Sequence, residues 1–263
     1  MENWSKIEED AKTWIYEAGE KIRQSFQKVL SVQAKSNPDD LVTNMDKETE
    51  QYLISKINHT YPEHKILGEE GFGDKPESMD GVIWIVDPID GTMNFVHQQR
   101  NFAISIGIYE NGVGQVGLIY DVVHNELYHA VKGKGAYMND TELPKLKDVP
   151  LNEAVIALNA TWVMENKRFD HNKLVPVAKA VRGTRSYGSA TIECAYVAAG
   201  RLDAYITLRL APWDFAAGLV LLEEVGAKAT TLDGKPINML GQNSIFVAKK
   251  GIHETILNEY LIK

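Results

Sequence analysis

The run Trp84-Ile85-Val86-Asp87-Pro88-Ile89-Asp90-Gly91-Thr92 ends an apolar stretch in two carboxylates three residues apart, followed by a glycine and a threonine. Carboxylates at the end of a buried strand repel each other, and at least one takes up a proton unless a cation meets them. Asp46, Glu69, Glu70 and Asp214 also stand at the ends of expected elements. If the strands that end at Gly68 and Asp87 lie side by side, Glu69 and Asp87 become neighbours. An oxygen donor set without His or Cys suits a hard divalent cation, chiefly Mg²⁺. Gly91-Thr92 adds backbone that can approach an anion closely, and amides at a helix start that can hold phosphate oxygens. Together these groups point to metal-assisted transfer of a phosphoryl group to water, with two ions roughly 3.5–4 Å apart holding the nucleophile and the leaving oxygen.

Spacing separates this pattern from the Asp-x-Asp-Gly-Thr of phosphatases that form an aspartyl phosphate. Here the run is Asp87-Pro88-Ile89-Asp90-Gly91-Thr92, one residue longer. The extra residue changes which side chains face the site, and Pro88 biases Asp87 towards an extended backbone. Asp87 is read as a ligand, not a nucleophile. Taken singly, Asp87, Asp90 and Asp214 would pass as turn formers or helix caps. Likewise Thr43-x-x-Asp46 is a capping-box pattern.

Mixed α and β elements must position these groups. Apolar residues at helical spacing predict a helix over residues 4–30, and a second runs over about 46–59 after the polar loop Lys35 to Asp46. Residues 65–68 and 81–87 read as short buried strands. Asn111-Gly112 joins two strands in a hairpin, and Glu126–Val131 and the segment around Tyr137 follow as further strands. Beyond a polar stretch at 140–153, strands and helices alternate: strands around 154–160, 185–187, 203–208, 228–232 and 244–248, and helices at 165–180, 189–199, 212–225 and from 252. This predicts a mixed α/β fold in two lobes, 1–147 carrying most of the metal ligands and 148–263 closing the site with Asp214.

The chain of 263 residues carries a net charge of −8 at pH 7, and its basic residues form no stripe. Binding to nucleic acid or to an anionic membrane surface is therefore not expected. A single cysteine, Cys194, allows no internal disulfide and fits a reducing compartment, so a cytoplasmic location is expected. Cys194 falls among small apolar residues of an expected helix and reads as core filler rather than nucleophile.

With these residues in place, the sequence resembles the inositol monophosphatase family, the lithium-sensitive, magnesium-dependent phosphomonoesterases. The resemblance rests on Lys35-Ser36-x-Pro38-x-Asp40-Leu41-Val42-Thr43-x-x-Asp46, Gly68-Glu69-Glu70, Trp84 to His97, Gly188-Ser189-Ala190 and Pro212-Trp213-Asp214-x-Ala216-Ala217-Gly218, in the family's order along nearly the whole chain. It implies a layered α/β/α/β/α fold, a homodimer, and two to three Mg²⁺ ions per site. One ion would fall to Glu69, Asp87 and the Ile89 carbonyl, a second to Asp87, Asp90 and Asp214, and a third to Glu69 and water. Thr92, oriented with Asp46, would activate the attacking water, with Glu69 also among the catalytic groups. The Gly91 and Thr92 amides would bind phosphate, and Gly188, Ser189 and Ala190 would lie beside the substrate.

At one position the sequence departs from that pattern. Several inositol phosphatases carry a glutamate seven residues before the late aspartate, where it accepts from inositol hydroxyls; here Thr207 stands there. Lys35 either steadies phosphate or solvates its loop, Glu70 supports its neighbours or is solvated, and Arg185 and Arg209 are read either as contacts to a distal substrate group or as ion-pair residues. The expected substrate is a small phosphorylated polyol or sugar, with myo-inositol 1-phosphate first. Fructose 1,6-bisphosphate, the 2′-phosphate of NADP and 3′-phosphoadenosine 5′-phosphate are the alternatives within the class. A partner-binding role independent of turnover is the alternative outside it.

Overall fold

The computed structural model describes residues 2–27, 31–34 and 41–263, so Lys35 lies outside the described residues. The first part of the chain forms α1 (Trp4–Ser25), β1 (Val32–Ala34), β2 (Leu41–Thr43), α2 (Asn44–Thr60), β3 (Lys65–Gly68), β4 (Val82–Asp90) and α3 (Thr92–Gln98). A meander follows: β5 (Ala103–Glu110), β6 (Val113–Asp121), β7 (Glu126–Val131), β8 (Ala136–Met138) and β9 (Thr141–Glu142). The remainder forms β10 (Val155–Leu158), α4 (Ala160–Val163), α5 (His171–Ala180), β11 (Gly183–Arg185), α6 (Ala190–Ala198) and β12 (Ala204–Leu210). It ends with α7 (Pro212–Val225), β13 (Lys228–Thr230), β14 (Asn243–Ala248) and α8 (Lys250–Ile256), which runs on into a π-helical turn over Leu257–Leu261.

Strands β3 to β9 lie in sequence order in a seven-stranded sheet, antiparallel except for the parallel pair β3–β4. A five-stranded sheet has the order β11-β10-β12-β14-β13. Strand alternation builds the layers. On β4, Trp84 and Val86 face α1 and α2, while Ile83 and Ile85 face α6 and α7. On β12, Tyr205 turns to that same central helix layer, and Ile206 and Leu208 turn outward to pack with Leu174 and Val177 of α5 and Ile252 of α8. The result is α/β/α/β/α, with α6 and α7 touching both sheets.

Elements expected from sequence recur with shifted ends. The helix expected over 165–180 starts only at His171, because Asn166 accepts from the Arg168 and Phe169 amides in a turn and Asp170 caps the helix through the Asn172 amide. The strand expected at 185–187 is displaced to Gly183–Arg185, where it pairs with β10. Asn111 and Gly112 take left-handed φ angles of 49° and 79°, as a two-residue hairpin turn requires.

Candidate active site

Parallel pairing sets the first two carboxylates side by side. Register matches Gly68 of β3 to Val86 of β4, so Glu69, just past the end of β3, comes beside Asp87, the next residue of β4. The Glu69 amide donates to the Val86 carbonyl at 3.3 Å. Strand β4 then slips. Asp87 pairs with Ser105 and Asp90 with Ala103, so three steps on β4 match two on β5. This bulge absorbs the extra residue of Asp-Pro-Ile-Asp. Residues three apart on a regular strand face opposite ways; the bulge turns Asp87 and Asp90 to one side.

Asp214 arrives from the other half of the chain, in the first turn of α7, where its Oδ2 accepts from the Ala211 amide at 2.8 Å. One carboxylate oxygen each of Asp87, Asp90 and Asp214 lies within 4.8 Å of the others. Asp90 is tied down by α6 and its cap: its Oδ2 accepts from the Ser189 hydroxyl at 2.5 Å, the Thr191 hydroxyl at 2.6 Å and the Thr191 amide at 2.7 Å. Burial and the neighbouring charges of Glu69, Asp90 and Asp214 hold the Asp87 carboxyl well above the usual carboxylate range. Burial and Asp90 do the same to Asp214, against the hydrogen bond from the Ala211 amide and, less, the charge of the exposed Arg209. Burial also raises Asp90 despite its donors. A largely buried set of oxygen donors that repel one another fits a hard divalent cation such as Mg²⁺.

A second constellation adjoins the first. The Thr43 amide and hydroxyl donate to Asp46 Oδ2 at 2.8 and 2.6 Å, completing the capping box of α2. That leaves Asp46 Oδ1 to accept from the Thr92 hydroxyl at 3.0 Å, with the Ile89 carbonyl 3.1 Å from the same hydroxyl. The cap thus orients the acid towards Thr92. Burial raises the Asp46 carboxyl above its ordinary value, against the hydrogen bonds from Thr43 and Thr92. Gly91, between them, takes φ 92°; a Cβ there would stand 3.1 Å from the Asn101 carbonyl oxygen and 3.2 Å from that of Gly188.

Beside these groups opens a cavity of about 240 Å³ whose wall includes Asp90, Gly188, Ser189, Ala190, Thr207 and Asp214. Thr207 therefore faces the same space as the carboxylate cluster. Arg209 lines it as well. Arg185 does not: it is exposed at the end of β11, its guanidinium donating to the Thr184 carbonyl at 2.8 Å. The Glu70 amide donates to Glu50 Oε2 at 2.7 Å, which ties this turn to α2.

Sequence reasoning missed several contributors. Thr191 stands just past the Gly188-Ser189-Ala190 motif, yet its hydroxyl and amide both bind Asp90. Asn94 on α3 donates to the carbonyls of Asn101 and Tyr187 at 2.8 and 2.7 Å, joining the β4 turn to the loop before α6. Trp162 and Glu193 line the cavity. A sequence signal existed for Glu193, the lone acid in the otherwise uncharged helix Ala-Thr-Ile-Glu-Cys-Ala-Tyr-Val-Ala.

A family model, described as the inositol monophosphatase family, matches residues 3–261. The inositol-1-monophosphatase of Bacillus subtilis (strain 168) is 62% identical over 261 residues, 99% of this chain and 98% of its own length. The structure of SaIMPase-II with inositol monophosphate bound superposes with a TM-score of 0.87 at 43% identity, covering 97% of this chain and 94% of that one. A structure of an IMPase/NADP phosphatase complexed with Mg²⁺ and phosphate gives 0.89 at 30% identity, covering 98% and 95%.

Proposed function

The chain belongs to the inositol monophosphatase family, and we propose that it is a Mg²⁺-dependent phosphomonoesterase hydrolysing myo-inositol 1-phosphate, or a similar small sugar or polyol phosphate, to the alcohol and phosphate. The observation that carries this reading is the cluster of buried Asp87 and Asp90 with half-buried Asp214, opening on a polar-lined cavity. Glu69, Asp87, Asp90, Asp214 and the Ile89 carbonyl would hold the metal. Bound Mg²⁺ supplies Lewis-acid polarisation of the phosphoryl group and lowers the pKa of the attacking water.

The protein's own groups position the rest. The Thr92 hydroxyl proton is engaged by Asp46 Oδ1 and the Ile89 carbonyl, so its lone pairs remain to accept from a water nucleophile. In the left-handed turn at Gly91 and the start of α3, the Gly91 and Thr92 amides would donate to phosphoryl oxygens. Water oxygen bonds to phosphorus as the bond to the alcohol oxygen breaks; one proton of that water stays on the released phosphate and the other ends on the alcohol oxygen, which leaves into the cavity beside Ser189, Ala190 and Thr207. Roles for Lys35 and Glu70 remain part of the reading only as supports around the phosphate and the metal.

The test is phosphate release with Mg²⁺ from inositol 1-phosphate, fructose 1,6-bisphosphate, NADP and 3′-phosphoadenosine 5′-phosphate, with an Asp87→Asn control. A tenfold lead of inositol 1-phosphate in kcat/KM, about 1.4 kcal/mol of transition-state preference, is expected. A lead by another ester keeps the chemistry and reassigns the substrate; silence across the panel overturns the assignment and favours the partner-binding role. We also read the enzyme as a lithium-sensitive homodimer of the cytoplasm. No helix among the described residues is long and apolar enough to cross a membrane. Light scattering tests the dimer, and loss of phosphate release in millimolar Li⁺ tests the sensitivity.

A further inference from the structure

We propose that Glu193, on α6, is the carboxylate that accepts from the hydroxyls of the leaving alcohol, and so replaces from a neighbouring element the acid that Thr207 lacks. Glu193 is only 5% exposed, yet it lines the cavity shared by Asp90, Thr207 and Asp214. Every other residue of α6 is uncharged, and the helix is almost wholly buried between the sheets. A carboxylate buried there loses hydration that an amide or hydroxyl would lose at much lower cost.

Its partners leave capacity unused. Oε1 accepts from the Tyr187 amide at 2.7 Å. Burial pushes the Glu193 carboxyl up to about 7, against the Tyr187 and Gly188 amides and the Tyr205 hydroxyl, which favour its charged form, while Thr207 in turn supports Tyr205. In its ionised form the carboxyl offers about four acceptor sites, and with three donors on it one remains for a ligand in the cavity it lines. A hydroxyl-bearing leaving group next to the Ser189–Ala190 edge would enter this polar corner, where Glu193 accepts and Thr207 and Tyr205 complete the network. The recognised class is an alcohol with vicinal hydroxyls, as opposed to a phosphate on an aromatic or simple alkyl oxygen.

This inference rests on the phosphatase reading, and the experiment separates the two. Glu193→Gln keeps the length and an oxygen that can accept from the Tyr187 amide, so the loop before α6 is retained. Kinetics with Mg²⁺ are compared on inositol 1-phosphate and on p-nitrophenyl phosphate, whose leaving group bears no hydroxyl beyond the one released, alongside the Mg²⁺ half-activation concentration. The expected result is a fall of roughly 10- to 100-fold in kcat/KM for inositol 1-phosphate, mostly through KM, with the aryl ester changed by less than about twofold. Equal losses on both esters, or a shifted Mg²⁺ requirement, would mean that Glu193 only braces the loop and would overturn the inference while leaving the phosphatase reading intact. No change on either ester overturns it as well. A wild-type protein that hydrolyses the aryl ester but not inositol 1-phosphate overturns both the substrate assignment and this role, and one inactive on both overturns the phosphatase reading itself.

Discussion

Gly117 of β6 lies against the backbone of Ala217 in α7, so close that a Cβ on the glycine would stand 2.4 Å from the Ala217 carbonyl oxygen. Its cross-strand partner, Gly107 of β5, meets Ala216 in the same way, with 2.9 Å from a built Cβ to both the Ala216 carbonyl carbon and Cβ. This glycine pair forms a bare patch on which α7 sits, and α7 carries Asp214 at its first turn. The Tyr109 hydroxyl donates to the Ala216 carbonyl at 2.8 Å and fixes the same contact. Gly117→Ala should therefore lift α7, destabilise the fold by about 1–3 kcal/mol as other overpacked sites do, and raise the Mg²⁺ concentration needed for half activity. Thermal melts paired with Mg²⁺ titration check it; a stable variant with unchanged Mg²⁺ dependence would refute the link between the patch and Asp214.

Thr92→Ala should lower kcat by about 10²- to 10⁴-fold, the range associated with losing a positioned proton-transfer group, while leaving Mg²⁺ affinity near wild type. Thr92→Ser keeps the hydroxyl that bonds Asp46 and should retain much of the rate. Calorimetric Mg²⁺ titration beside single-turnover kinetics distinguishes this from metal loss, which would show as weakened binding.

Metal should stabilise the folded chain. With Mg²⁺ at 100 times its dissociation constant the gain is about 2.7 kcal/mol, and for a chain of this size that is roughly 5–10 °C in Tm. Asp214→Asn should remove most of this gain, yet melt in EDTA at or above the wild-type temperature, because it takes one charge from a group of carboxylates that repel. A marked loss of stability in EDTA would show that Asp214 contributes mainly as the cap of α7.

His253 ties pH to stability far from the site. Its ring stacks on Phe246 with centroids 4.4 Å apart, and Nε2 lies 2.9 Å from the Thr230 hydroxyl. Burial, helped by the charge of Lys228, lowers its pKa from 6.5 to about 4. Between those values the unfolded chain binds the proton and the folded chain does not, so this contribution is complete above pH 6.5 and is lost as pH falls towards 4. Against His253→Phe, wild-type Tm should drop more steeply over that interval. Parallel curves would remove His253 as the cause.

Much of the scaffold was legible in local chemistry. Apolar alternation marked β4, Asn111-Gly112 marked the hairpin turn, and Thr43 with Asp46 marked the start of α2, because each signal reports hydrogen bonds and periodicities made within a few residues. The start of α5 was misread because Asn166 and Asp170 divert the backbone before helical spacing begins. Arg185 looked as relevant as Arg209, but β11 is an edge strand that ends on the surface, and no local pattern reports which edge a strand occupies.

The sequence by itself determined the donor chemistry: oxygen groups at element ends, a glycine turn, a threonine beside an acid, and the ordered motifs of a family. Convergence was left to the tertiary structure. The β4 bulge, the parallel register of β3 with β4, the glycine seat under α7 and the arrival of Glu193 at the cavity join residues up to more than a hundred positions apart. Such contacts follow from which apolar faces bury each other, a property of the whole chain's packing rather than of any stretch within it.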